Sequence, residues 1–222
     1  LWAIVEYINT TRDYTILDEN IPFYPEKNDH TPTSATVLDR VRLAIEFLFS
    51  DAVGVGEHGL IKVNDGDWSD GISFMVKNRK KFVEKGESAF NTCMALYVLP
   101  RLCPLLQTHM PEMVPQIQSR ILLLEKAMDQ AWNGRWFYRG YDGSGNPIGN
   151  QEIFLEHHVW YLLSESIDPT KRAILIHNIL EFLSYPSPIG QLIMYPPSKS
   201  VLSLFNKGWD VNGGIWHAIN AL

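Results

Sequence analysis

The sequence predicts an all-α fold interrupted by one short β-hairpin. Three observations carry this. Apolar residues recur at three- and four-residue intervals in six separate stretches, no strand alternates with those helices, and the joining segments are long and rich in Gly, Asp and Trp. The missing βαβ alternation rules down a doubly wound sheet, and no fixed-period repeat is visible although the helices come in pairs. An α/α toroid or an irregular bundle remains.

The elements follow in order. "LWAIVEYINTT" puts Leu1, Ile4, Val5 and Ile8 on one helical face before the text breaks at Pro22 and Pro25. After a polar loop, "TPTSATVLDRVRLAIEFLFSDA" carries Val37, Val41, Ile45 and Leu48 behind a Ser/Thr-rich start that can cap a helix. "GESAFNTCMALYVLPRLCPLLQTH" is a third helix, expected to bend or end near Pro100 and Pro104. "PEMVPQIQSRILLLEKAMDQAWN" is a fourth, with Ile117, Ile121, Leu124 and Met128 in register. "RWFYRGYDGSGNPIG" reads as the hairpin, closed by a Gly-rich turn. "IFLEHHVWYLLSES" and "PTKRAILIHNILEFLS" complete the helices.

At 222 residues the chain suffices for one large domain or part of one. It opens on Leu1 and closes on the helical text "IWHAINAL", so residues 1–222 are expected to be a fragment with parts missing on both sides. A net charge of -6 gives no electrostatic reason to bind nucleic acid or an anionic membrane. No apolar run approaches the roughly 20 residues of a membrane span, and no signal peptide is visible. Cys93 and Cys103 share one apolar segment with Pro100 between them, which reads as reduced, buried thiols and a cytoplasmic protein. Neither metal nor cofactor is expected.

The helices are plain, and the polar and aromatic residues gather on the connecting loops: Asp65, Asp67, Trp68, Asp70, Trp132, Trp136, Tyr138, Tyr141, Trp209 and Trp216. Aromatic faces beside carboxylates suit a sugar, whose C–H face packs on an indole while acidic oxygens take its hydroxyls and one protonated acid serves the glycosidic oxygen. Calcium fits "DGDWSDG" poorly, because Trp68 falls within the loop and the terminal glutamate is missing. His157 and His158 read as packing or surface residues.

"GDWSDG" followed by "KGESAFNTCMALYVL" resembles the "GDWNDG…KGESVW" region of glycoside hydrolase family 94, the inverting phosphorylases of cellobiose and chitobiose and a domain of cyclic β-1,2-glucan synthases. "LWAIVEYINTTRDYTILDENIPFY", "GEHGLIKVNDGDWSDG" and "YPPSKS…NKGWDVNGGIWHA" are similar to further family blocks in the same order. The resemblance implies part of an (α/α)6 toroid of the six-hairpin glycosidase type. It implies a β-linked oligosaccharide and inorganic phosphate as substrates, and a homodimer as the full-length state.

Carried over residue by residue, the general acid falls on Asp70, and Trp68 lines the subsite of the transferred sugar. Phosphate, already anionic, needs no base, so one essential carboxylate is enough. Asp70 must be protonated, which burial against Trp68 and nearby negative charge would favour. Asp67 and Glu87 are substrate-binding candidates; the alternatives are an Asp67 turn and capping of the next helix by Glu87 and Ser88. His217, with Gly213 and Gly214 allowing close backbone approach, is the phosphate-binding candidate, although Ala218 competes for the matching place. Asp210 replaces the family's acceptor-site lysine. The family's upstream "RDxxQD" segment is absent here. Two other readings stay open: a toroid hydrolase using water, with Asp142, Glu152 or Glu156 as base, and a non-catalytic carbohydrate-binding relic.

Overall fold

The computed structural model describes residues 1–23, 34–64, 66–69, 71–199 and 206–222. The chain divides into two compact units, Leu1–Gly54 and Val55–Leu222. Helices dominate both, joined by short strand pairs.

In the first unit, α1 (Trp2–Thr11) buries Val5 and Ile8 and is closed by Arg12 in the left-handed region, whose N–H bonds the Ile8 carbonyl. A 3-10 turn (Thr15–Asp18) leads to β1 (Asn20–Pro22), antiparallel to β2 (Ser34–Thr36). This pair is a structural finding: at three residues each, with Pro22 in one strand, neither carries a readable alternation. Helix α2 (Val37–Leu48) starts where its Ser/Thr text predicts, with Thr36 accepting the Asp39 N–H, and buries Val41 and Ile45.

The second unit is built around α5 (Ala89–His109), which packs against α6 (Val114–Gln130) and α7 (Glu156–Ser164). Pro100 and Pro104 do not end α5. An interior proline costs about 3 kcal/mol, but Leu96, Leu99, Leu102 and Leu106 on the same helix are fully buried, and at about 1.5–3 kcal/mol each their burial outweighs it. The helix also has the length and mean hydropathy, 1.3, of a membrane span, with 61% of that window buried inside the protein. Polar residues such as Asn91, Arg101 and Gln107 interrupt its apolar text, so no unbroken apolar run marks this length. Arg101 ties the core helices together, donating to the carbonyls of Tyr97 at 2.9 Å and Leu163 at 3.2 Å.

Short helices α3 (Gly71–Met75) and α4 (Arg79–Lys85) precede β3 (Glu87–Ser88). The expected hairpin is present as β4 (Gly140–Tyr141) and β5 (Pro147–Ile148), and β3 joins it to make three antiparallel strands in the order β3-β4-β5. Its turn is held by Asp142, whose Oδ1 accepts the N–H groups of Ser144 and Asn146. β6 (Ile153–Phe154) pairs with β7 (Met194–Tyr195), α8 (Pro169–Ile179) is capped by Asp168, a π-helical turn follows at Leu180–Ser184, and α9 (His217–Asn220) closes the chain.

Candidate active site

The motif loop springs from the edge of the small sheet. Val63 N–H bonds the Gly86 carbonyl at 2.9 Å and Ser88 N–H bonds the Ile61 carbonyl at 2.8 Å, after which Asn64 turns in the left-handed region. Asn91 of α5 reaches back to the Gly66 carbonyl at 2.7 Å. Asp65 and Asp70, the expected general acid, lie outside the described residues.

Asp67 has a defined and saturated environment. Its Oδ1 accepts the Ser69 N–H at 3.0 Å, the turn anticipated for an Asp at this position, and also Arg139 Nη2 at 2.5 Å. Its Oδ2 accepts Arg139 Nη1 at 3.0 Å and the Ser88 hydroxyl at 2.6 Å. The same Ser88 oxygen caps α5 by accepting the Asn91 N–H. Ser88 therefore caps as expected, while its hydroxyl proton goes to the loop.

Arg139 is fully buried, and its third edge bonds Glu156 through Nε at 2.5 Å. Burial pulls the Asp67 pKa upward and is the largest single influence, yet the charge of Arg139 and the bonds from Arg139, Ser88 and Ser69 together hold it below the ordinary value. Burial wins at Glu156, with Asp67 adding to it against the attraction of Arg139, and its pKa is raised. One guanidinium serves two carboxylates, and its attraction outweighs burial at Asp67 but not at Glu156. Arg139 itself stays charged, because both carboxylates oppose its desolvation.

Trp68 keeps 36% of its surface exposed and meets Trp216 edge to face, with ring centroids 5.2 Å apart, while Phe90 lies at 6.1 Å. The "DWSD" and "NGG" blocks, about 140 residues apart in the sequence, therefore meet. Gly71 packs so closely on Val211 that an added Cβ would lie 2.3 Å from its Cγ2. Asn212 is fully buried and clasps Ser198 through both its amide atoms, pinning the "YPPS" segment. Gly213 has φ +92 and leaves a Cβ only 2.9 Å from Pro197. The Gly214 N–H bonds the Asp210 carbonyl. These glycines are demanded by the turn itself. His217 is exposed at the start of α9, beside Trp216.

Glu87 is placed differently from Trp68. Its buried carboxylate accepts the backbone N–H groups of His58 and Leu60, and sits 2.7 Å from His58 Nδ1. It braces the 56–60 loop and does not cap α5. His58 in turn stacks on Tyr141 at 3.7 Å. Trp136 is also buried, with its indole N–H on the Gly149 carbonyl. Trp136 and Tyr141, although carried on connecting segments, are thus packed inside the protein.

His157 and His158 are packing residues, as expected. His158 accepts the Phe137 N–H and donates to the Phe154 carbonyl, and burial lowers its pKa to about 3. Cys93 and Cys103 are free thiols; Cys93 is buried and Cys103 is partly exposed. Among the described residues no group of three or more His, Cys, Asp and Glu side chains is arranged to hold a metal ion.

Arg139 and Ser88 are the site residues that sequence reasoning undervalued. The available signal was Arg139, the second arginine of the aromatic run "RWFYRGY", which a strand can bury only if carboxylates meet it.

The family model described as "Glycosyl hydrolase 94 superfamily, catalytic domain" matches residues 1–221. The chain belongs to this family. Three curated relatives agree. The 3-O-beta-D-glucopyranosyl-beta-D-glucuronide phosphorylase of Paenibacillus borealis is 27% identical over 96% of this chain. Solabiose phosphorylase of the same organism is 22% identical over 95%, and cellobionic acid phosphorylase of Neurospora crassa is 24% identical over 86%. The chain spans about a quarter of the length of each, 26%, 26% and 23%. In family 94 terms, the described geometry belongs to one part of the catalytic domain.

Proposed function

We propose that residues 1–222 form part of the catalytic domain of an inverting β-glycoside phosphorylase, in which the paired helices continue into an (α/α)6 toroid. A β-linked disaccharide or oligoglucan is cleaved by inorganic phosphate to a sugar 1-phosphate. The bond from C1 to the glycosidic oxygen breaks, that oxygen takes the proton of Asp70, and a phosphate oxygen attacks C1 from the opposite face. Trp68 supplies an apolar wall for the transferred sugar, and His217, exposed beside Trp216, binds phosphate. Gly213 and Gly214 contribute by folding the turn. No cofactor takes part, and the free thiols fit the cytoplasm.

The observation that carries this reading is the commitment of carboxylates. Asp67 is held ionised by Arg139, which withdraws it from proton donation and supports the acid role at Asp70, the position that matches the family's general acid. Of the three candidate bases for a water-using hydrolase, Asp142 holds the hairpin turn and Glu156 is buried on Arg139. Only Glu152 is left, and a phosphorylase needs no base.

The test is to incubate the full-length protein with cellobiose, cellobionic acid, solabiose and 3-O-β-D-glucopyranosyl-D-glucuronide, with and without phosphate. Phosphate-dependent release of a sugar 1-phosphate is expected, and Asp70→Asn should lower it by about 100-fold or more. Equal cleavage without phosphate, yielding free sugar alone, would end the phosphorylase reading.

A further inference from the structure

We propose that Arg139 is the positioning residue of the catalytic loop, holding Asp67 by a two-point ion pair and so fixing the 67–69 segment that leads into Asp70. The inference rests on the general-acid role of Asp70 proposed above.

Asn91 holds the Gly66 carbonyl and Trp68 meets Trp216 and Phe90, but the deepest anchor of the loop is Asp67. Gly66 and Trp68 face solvent, whereas the Asp67 side chain is only 4% exposed. A guanidinium giving two N–H groups to one carboxylate sets the plane of that carboxylate as well as its distance, which a lysine ammonium cannot do. With Asp67 so oriented, its Oδ1 also accepts the Ser69 N–H at 3.0 Å, and this fixes the backbone across Trp68. Asp70 is the next residue.

Arg139 is itself held firmly. Its carbonyl accepts the Ala89 N–H at 3.0 Å, its N–H bonds the Ile148 carbonyl at 2.8 Å, and its Nε is held by Glu156 in the first turn of α7. The loop is therefore referenced to the hairpin, to the start of α5 through Ser88, and to α7. Displacing a reacting group by about 1 Å can cost about 100-fold in rate, so this support bears on catalysis as well as on folding.

The test compares two substrates in the full-length protein: the disaccharide that the wild type turns over in the panel above, and β-D-glucosyl fluoride with phosphate. Fluoride departs as the anion and needs little protonation, so it reports the rest of the site without the acid. Asp67→Asn and Arg139→Lys should lower kcat on the disaccharide by about 10–100-fold and on the fluoride by less than about 5-fold. A general loss of structure would depress both alike. If Arg139→Lys does not fold, Asp67→Asn decides, because Asn is isosteric and leaves Arg139 paired with Glu156. Equal losses on both substrates, or disaccharide turnover within about 3-fold of wild type, would overturn the proposal. Should the wild type prove to be a hydrolase, the phosphorylase reading falls but the contrast between substrates still tests the ion pair, since both reactions protonate the leaving oxygen. Absence of any turnover overturns both.

Discussion

Arg139 carries a charge with no exposed surface between two carboxylates, and the consequences are electrostatic before they are structural. Folding raises the pKa of Glu156 above its ordinary 4.5, chiefly through burial, and lowers that of Asp67 below its ordinary 3.8. The signs oppose. A carboxyl raised by folding stabilises the protein below its unfolded value, and that contribution is lost as pH rises through the folded value. A lowered one contributes above its unfolded value and is lost as pH falls through the folded value. Glu156→Gln removes only the first effect. Its stability relative to wild type should therefore increase as pH rises from about 4.5, by at most about 1.4 kcal/mol per pH unit. Denaturant unfolding of the two proteins at matched pH between 4 and 7.5 would show it, and a difference that stays constant with pH would refute the raised Glu156.

At the scale of elements, the pairing of β3 with β4 decides whether the site exists. Gly140 lies opposite Ser88, and a Cβ there would sit 2.0 Å from the Glu87 carbonyl oxygen, closer than any side chain can tolerate. Gly140→Ala should part the strands, draw Arg139 away from Asp67 and destabilise the fold by about 2–4 kcal/mol. Thermal unfolding and turnover should fall together; a variant with wild-type stability would show that the sheet is not what places Arg139. The same element explains why the site was only half legible. Alternation and turn residues revealed the hairpin, and spacing revealed α5. Two-residue β3 has no pattern to read, yet it brings Ser88 to Asp67.

For the whole molecule, the described surface retains large apolar side chains well outside any core: Leu122 at 66%, Leu123 at 57%, Tyr185 at 73% and Ile189 at 78% exposed. Adjacent leucines on the outer face of α6 are more than scattered exposure explains. With the chain spanning about a quarter of its relatives' length, residues 1–222 expressed alone should self-associate and turn over no disaccharide. Leu122→Glu with Leu123→Lys should reduce that association. Light scattering against concentration measures it, and a monodisperse isolated piece would contradict the expectation.

The sequence by itself determined the six longer helices, the hairpin, the family and the residues at which chemistry is proposed, because helical spacing, turn residues and the "GDWSDG" motif are local in the chain; the short α3, α4 and α9 appear only in the structure. It could not rank the carboxylates. Asp67, Glu87, Asp142 and Glu156 all read as candidates in one dimension. Only the tertiary structure assigned Asp67 to Arg139, Glu87 to the His58 loop, Asp142 to its own turn and Glu156 to the far side of the same guanidinium. A carboxylate's role depends on burial and on which donors face it, and those donors come from strands and helices far away in the sequence.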